Sequence, residues 1–196
     1  MILGSIELLG VAVVIKRVYF CLALCLLCIL SLGSTALAAE NTSTIPGVGT
    51  LTFPANIELL PYNGGYGVGH DLLVDDNGTW RAAHLSFIGP TTGENINNLN
   101  DRTNPINQIV VTAMYLKSLE PKSRLLQSTP FNSIALKDER TRLKSFKTLH
   151  YIFVVQTDYY LINRPDGIRI LILECENSDM EYWTPIITKV IANIQK

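Results

Sequence analysis

The chain has 196 residues, and its 16 basic and 17 acidic side chains give a net charge of −1 at pH 7 with histidine neutral. Nucleic-acid-binding proteins usually show a clear excess of basic residues, so this balance argues against that class. The length fits one ordinary domain with an adequate core once an N-terminal leader is subtracted.

The first 38 residues have the pattern of a secretory signal peptide. They contain its parts in order, namely a basic end (Lys16 and Arg17), an apolar run (residues 18–30) and a site with small residues (Ala36 and Ala38). Cleavage is therefore expected after Ala38, which would leave residues 39–196 as an exported, periplasmic or extracellular protein.

Two alternatives concern the same segment. An uncleaved segment would anchor the protein in a membrane with its domain outside, although residues 18–30 are fewer than the roughly 20 apolar residues that span a bilayer. Residues 1–13 precede the basic end, with which a signal peptide normally begins. If translation started at Val14, these residues would not belong to the protein.

The cysteines indicate neither a lipid anchor nor a disulfide. Three of the four lie in the apolar run and each follows a large residue, whereas a lipid-modified cysteine needs a small residue before it (Cys21, Cys25 and Cys28). Cys175 is then the one thiol of the mature chain, so the domain must be held together by its core alone.

The first half of the mature chain predicts a tether, a strand and a hairpin. Residues 39–47 are polar without periodicity and are expected to form a flexible tether, and residues 48–54 predict a strand that ends at Pro54. Asn77 and Gly78 separate two strand-like runs, and both tolerate the positive φ angles of a two-residue hairpin turn.

That turn fixes a register for the hairpin. The expected cross-strand pairs are Asp76–Thr79, Val74–Arg81, Leu72–Ala83 and Asp71–His84. One face then belongs to the core, with Leu72, Val74, Ala83, Leu85 and Phe87. The other face, which includes Asp71, Asp75, Trp80 and His84, is expected to meet solvent or a ligand.

The second half predicts further strands. The expected segments are a long polar loop (89–107), a strand (108–116), a partly helical connection (123–144) and a β region (149–163). Pro165-Asp166-Gly167 suits a three-residue hairpin loop. It implies the pairs Ile162–Ile170, Leu161–Leu171, Tyr160–Ile172 and Tyr159–Leu173. Both faces of this hairpin are apolar, so it should lie centrally with a helix on at least one side.

A helix is predicted at the C terminus, where apolar residues recur at helical spacing (Trp183, Ile186, Ile187, Val190, Ile191 and Ile194). Thr184 as the N-cap and Pro185 at the first helical position place it over residues 185–195. The expected fold is α+β, an antiparallel sheet of about six strands covered by this helix.

The strand "VGTLTFP" and the segments "IRILILEC" and "WTPIITKVIANI" resemble those of the PsbP-like superfamily. They make up roughly a quarter of the mature chain. The resemblance implies an α/β/α sandwich and a non-catalytic accessory role, and it assigns no site residues.

Two residue pairs are candidates for catalysis. Asp71 and His84 face each other across the hairpin, and a carboxylate that orients an imidazole is half of a catalytic triad. Cys175 with His150 is the second pair, with Cys175 as the nucleophile. Neither a G-x-S-x-G nor an H-E-x-x-H motif accompanies them, which favours an ordinary surface pair and an ordinary buried thiol.

Neither a metal site nor a cofactor is expected. His70 and His84 lie on opposite faces of the predicted hairpin, and residues 95–101 lack the alternating carboxylates of a calcium loop. Aromatic and amide side chains near the hairpin suit contact with a peptide or glycan (Tyr62, Tyr66, Trp80, Asn95 and Asn98).

The sequence therefore predicts an exported, non-enzymatic binding or assembly domain of the cell envelope, whose partner is an envelope protein, a peptide or a glycan. A small secreted hydrolase that uses Asp71–His84 or Cys175–His150 is one alternative. A membrane-anchored subunit of an envelope complex, attached through an uncleaved leader, is the other.

Overall fold

The computed structural model describes residues 40–64, 67–91 and 98–194. They belong to a unit that comprises Ala39–Lys196. The predicted signal peptide, its cleavage site and the alternative start at Val14 lie outside the described residues. Among the described helices, none combines the length and apolarity needed to cross a bilayer.

Strands and helices follow one another in an α+β order. The strands are β1 (Glu40–Ile45), β2 (Gly49–Pro54), β3 (Glu58–Gly64), β4 (Gly67–Asp76), β5 (Thr79–Thr91), β6 (Ser123–Ser128), β7 (Lys144–His150), β8 (Phe153–Arg164) and β9 (Gly167–Glu176). The helices are α1 (Pro105–Leu119) and α2 (Met180–Asn193), with a short 3₁₀ turn at Ser133–Leu136.

Seven of the described strands form one antiparallel sheet in the order β3-β4-β5-β9-β8-β7-β6. The β1–β2 hairpin and α2 pack on one face, and α1 packs on the other. The β8–β9 hairpin is central, as its two apolar faces predicted, and it has a helix on each side, where at least one was expected. The fold class is thus confirmed, with more strands than the expected six.

The hairpin at Asn77-Gly78 has the predicted register, with all four expected pairs in place. Asn77 and Gly78 adopt φ angles of 54° and 84°, as a two-residue turn requires. The face predicted as core is buried against β2 and α2.

The register predicted for β8–β9 is wrong by one residue. Arg164 pairs with Gly167, so the turn has two residues, and Ile162 faces Arg169 rather than Ile170. Gly167 has the positive φ that was expected, but it lies in the ladder instead of closing a three-residue loop. Every pair of this hairpin shifts accordingly, and Cys175 faces Gln156.

The strand predicted over residues 108–116 is a helix. Asn104 caps α1 with its side-chain oxygen, which accepts the N–H groups of Ile106 and Asn107, and Pro105 occupies the first turn. Ile106 and Val110 are one turn apart and both pack on the sheet. Helical burial at that spacing outweighs the β preference of the neighbouring branched residues.

Two other segments were assigned too little β structure. Residues 40–45, predicted as part of a flexible tether, form β1 because they pair with β2, with Ile45 buried. The predicted connection 123–144 contains β6, and the single β region 149–163 is two strands, β7 and β8. These two strands turn at residues 151 and 152.

Helix α2 begins five residues before the predicted start at Pro185. The earlier start buries Met180 and Trp183. Pro185 lacks the N–H that would donate to the carbonyl of Glu181, and both residues lie on the exposed face, so water can satisfy that carbonyl. The isoleucine stripe packs on the sheet as predicted.

Candidate functional site

A cleft of about 260 Å³ opens between the C-terminal half of α1 and the sheet. Its apolar wall consists of Tyr62, Ala113, Phe146, Tyr159 and Ile172, and its polar lining consists of His84, Ser86, Lys117, Glu120, Thr157 and Glu174. We call this feature the α1 cleft. Its residues come from α1, from Glu120 at the C-cap of that helix and from five strands.

The apolar wall presents aromatic rings to the cleft. Phe146 of β7 and Tyr159 of β8 are neighbours in the sheet, with ring centroids 5.8 Å apart and planes 28° from parallel. Both are almost fully buried. On the opposite side, the small side chain of Ala113 keeps α1 from filling the space. The two rings therefore form the floor of the cleft, and Tyr62, which is partly exposed, is its accessible aromatic side chain.

An ion-pair cluster lines the end of the cleft near the C terminus of α1. The Lys117 ammonium lies 2.9 Å from one oxygen of Glu174 and 3.5 Å from Glu120. The second oxygen of Glu174 accepts a hydrogen bond from Thr157 at 3.1 Å. Burial lowers the pKa of Lys117, but the carboxylates of Glu174 and Glu120 outweigh it and hold that pKa above its usual value. Lys117 is thus a fixed cation.

Asp71 and His84 form the predicted pair at the β3–β5 side of the cleft. The Nδ1 atom of His84 lies 2.8 Å from a carboxylate oxygen of Asp71. Tyr62 meets the imidazole edge-on, with ring centroids 4.4 Å apart and an interplanar angle of 86°. Since these two contacts hold the ring, His84 enters the cleft in a defined orientation.

The structure separates the residues predicted to bind a peptide or glycan. Tyr62 lines the cleft. Trp80 is 71% exposed at the start of β5 and lines none of it. Asn98 precedes α1, at the opposite end of that helix from Lys117. Tyr66 and Asn95 lie outside the described residues.

Sequence reasoning missed Lys117, Glu120 and Glu174. Lys117 and Glu120 are three residues apart, a helical spacing for an ion pair, but the preceding residues 108–116 were predicted to be a strand and residues 117–122 had no prediction. Glu174 lies near the end of β9, and its partner Lys117 comes from a helix 57 residues earlier in the chain, so the sequence does not indicate their contact.

Cys175 and His150 lie on opposite faces of the sheet. Cys175 packs in the core beneath α2. The Nδ1 atom of His150 lies 2.7 Å from the hydroxyl of Ser123 and 3.7 Å from Glu120, on the side of α1. The pair cannot cooperate in catalysis from these positions.

Cys175 is expected to resist alkylation in the folded protein. Burial is the main cause that raises the pKa of its thiol to about 12, and neighbouring carboxylates such as Asp179 add to it, so little thiolate forms near neutral pH. Iodoacetamide at pH 8 should leave the peptide that contains Cys175 unmodified in peptide mapping by mass spectrometry. The same treatment in urea should modify it fully, and rapid modification without urea would contradict the burial.

His70 points to the opposite face from His84, as predicted. Its Nε2 atom lies 2.6 Å from the hydroxyl of Ser43 on β1, and burial lowers its pKa. Residues 40–64, 67–91 and 98–194 contain no group of three histidine, cysteine or acidic side chains that could hold a metal.

No protein-family model and no curated protein matches the chain. Among solved structures, the chain is similar to cyanobacterial PsbP (CyanoP) from Synechocystis sp. PCC 6803, with 7% identity, a TM-score of 0.46 and coverage of 83% of this chain and 95% of that one. It is also similar to LpqN, described as involved in cell envelope biogenesis of Mycobacterium tuberculosis, with 12% identity, a TM-score of 0.38 and coverage of 79% and 88%.

Proposed function

We propose that the protein is an exported accessory domain of the cell envelope that binds a short peptide or glycan segment in the α1 cleft. The signal-peptide pattern of the first 38 residues supports export. The observation on which the binding function depends is the cleft itself, in which polar groups converge on an aromatic wall. This combination is typical of small-ligand sites.

The charges of the cleft favour a neutral or cationic ligand. Three carboxylates (Asp71, Glu120 and Glu174) surround Lys117 and His84, so negative groups outnumber the positive ones in and around the cleft. The partly exposed ring of Tyr62 offers an apolar surface for a side chain or for one face of a sugar. Carboxylate oxygens and the imidazole would accept hydrogen bonds from hydroxyl or ammonium groups.

A substitution that fills the cleft tests this function. Ala113→Trp places a large side chain inside it, and Val111→Trp places the same side chain on the exposed surface of α1 as the matched control. Binding of soluble peptidoglycan fragments and of short peptides would be measured by calorimetry and by NMR shift mapping. We expect binding to the parent protein and to the Val111→Trp variant, with at least a tenfold loss, about 1.4 kcal/mol, for Ala113→Trp.

Two outcomes would contradict the proposal. One is the absence of binding by the parent protein to either class of fragment. The other is binding that Ala113→Trp leaves unchanged, because the ligand would then lie outside the cleft. NMR shifts of the cleft residues that appear only with peptides, or only with glycan fragments, would identify the ligand class.

A small hydrolase is the second candidate, because the Asp71–His84 pair borders the cleft rather than an open surface. Ser86 lies on the same face two residues along β5 and also lines the cleft. Hydrolysis of ester or amide substrates that is lost in both His84→Ala and Ser86→Ala would favour this candidate. Turnover that survives both changes would rule it out.

A further inference from the structure

Three consecutive large apolar residues lie exposed where β7 turns into β8. The exposed fractions are 54% for Tyr151, 82% for Ile152 and 52% for Phe153. We call these residues the β7–β8 tip. Turns are usually built from small and polar residues, so an apolar triplet at a turn needs an explanation.

Contacts with the loop before β6 hold the tip in place. The backbone N–H of Tyr151 donates to the carbonyl of Lys122 at 3.2 Å, and the Lys122 ammonium lies 4.7 Å from the centre of the Tyr151 ring. The ring of His150 packs edge-on against the same ring. These contacts fix Tyr151 at a φ of 56° while Ile152 points outward.

Basic residues border the tip. Lys122 and Arg124 are both exposed on the segment that pairs with the end of β7, where Ser123 faces His150. The nearby carboxylate of Glu120 is directed toward Lys117 and His150. Exposed aromatic and aliphatic side chains beside exposed basic groups are the composition of surfaces that enter the interface of an anionic bilayer.

The chain enters the domain at the same end of the sheet. β3 begins at Glu58, at the end of the sheet where β7 finishes and β8 starts. The side chain of Asn41, the second residue of β1, donates to the carbonyl of Ile57 at 2.7 Å. A segment that leads from the membrane into β1 would therefore reach the domain at the end that presents the tip.

We propose that the β7–β8 tip inserts into the interfacial region of an anionic lipid bilayer. Tyr151, Ile152 and Phe153 would enter the boundary between head groups and acyl chains, and Lys122 and Arg124 would contact lipid phosphates. This contact orients the domain with the tip end toward the membrane, whether or not the N-terminal segment is cleaved.

A fluorescent probe at the tip tests the proposal on the full chain. Serine replaces Cys21, Cys25 and Cys28, and the buried Cys175 stays unlabelled. An environment-sensitive dye is attached through Ile152→Cys, or through Asn163→Cys near the opposite end of β8 as the control. Each protein is mixed with vesicles of phosphatidylcholine, with or without phosphatidylglycerol, and with lipids that carry a spin-label quencher.

We expect the dye at position 152 to shift to the blue and to be quenched in phosphatidylglycerol vesicles, while the dye at position 163 does not respond. Changing Lys122 and Arg124 together to glutamine should raise the lipid concentration needed for the blue shift roughly 30-fold, because the attraction of both basic residues to the anionic lipid is lost. The two sites distinguish insertion from mere tethering by the N-terminal segment, which would leave both dyes in water.

Three results would overturn the proposal. The first is a position-152 spectrum that does not change with vesicles. The second is an equal response in vesicles without phosphatidylglycerol, which would show that the basic residues have no role. The third is a blue shift without vesicles that grows with protein concentration, which would assign the tip to contact with a second copy of the chain.

Discussion

Replacing Trp183 with alanine is expected to lower the free energy of unfolding by about 3–5 kcal/mol, the range for truncating a buried tryptophan. Trp183 is fully buried in the first turns of α2 and is among the largest side chains of the core between α2 and the sheet. Its ring also packs edge-on against Tyr182. Equilibrium unfolding in urea, followed by circular dichroism, measures the loss.

Trp80 provides the matched control, because it is the same residue type in an exposed position. Trp80→Ala should change the free energy of unfolding by no more than about 0.5 kcal/mol. Equal losses in the two variants would contradict the packing of α2. A large loss for Trp183→Ala alone would support the burial of Trp183 between α2 and the sheet.

The hairpin of β4 and β5 could be predicted to the residue because all of its determinants are local. Asn77 and Gly78 require one turn type, and that turn fixes which residues face each other. The contact between Asp71 and His84 follows from that register. At the second hairpin, Pro165 and Asp166 suit turns of two or three residues, and the sequence does not distinguish them.

Helix α1 could not be predicted with the same certainty because its determinants are divided between local signals and tertiary packing. Asn104 and Pro105 are a helix-start signal, but they end a long polar stretch that resembles a loop. The following branched residues favour a strand in isolation. Burial of Ile106 and Val110 against the sheet decides the outcome, and that surface is built by β7, β8 and β9, all later in the chain.

The α1 cleft could not be predicted either, because it forms only where α1 lies on the sheet. The Asp71–His84 contact could be predicted from the first hairpin, and Tyr62 could only be placed near that hairpin, whereas Lys117 and Glu174 are 57 residues apart and meet only once α1 lies on the sheet. Strand β6 was missed for a related reason. It is an edge strand with mostly exposed residues, so it lacks the alternation of buried and exposed positions that marks strands with a covered face.

A substitution at Gly69 should affect both the stability and the cleft. Gly69 lies in β4 between Tyr62 of β3 and Ser86 of β5. A Cβ atom there would lie 1.9 Å from the carbonyl oxygen of Leu85 and 2.7 Å from the Cα of Ser86. These are backbone atoms that cannot rotate away, so β4 and β5 would have to separate.

We expect Gly69→Ala to lower the free energy of unfolding by about 3 kcal/mol, the upper end of the usual cost of overpacking. Because Tyr62 and His84 flank the site of the clash, their NMR ring signals should shift as well. Gly78→Ala is the control. Its Cβ would meet nothing within 4 Å, and its φ of 84° should cost roughly 1–2 kcal/mol through backbone strain alone. If the control moved the Tyr62 and His84 signals as much as Gly69→Ala does, close strand approach at Gly69 would not be what shapes the cleft.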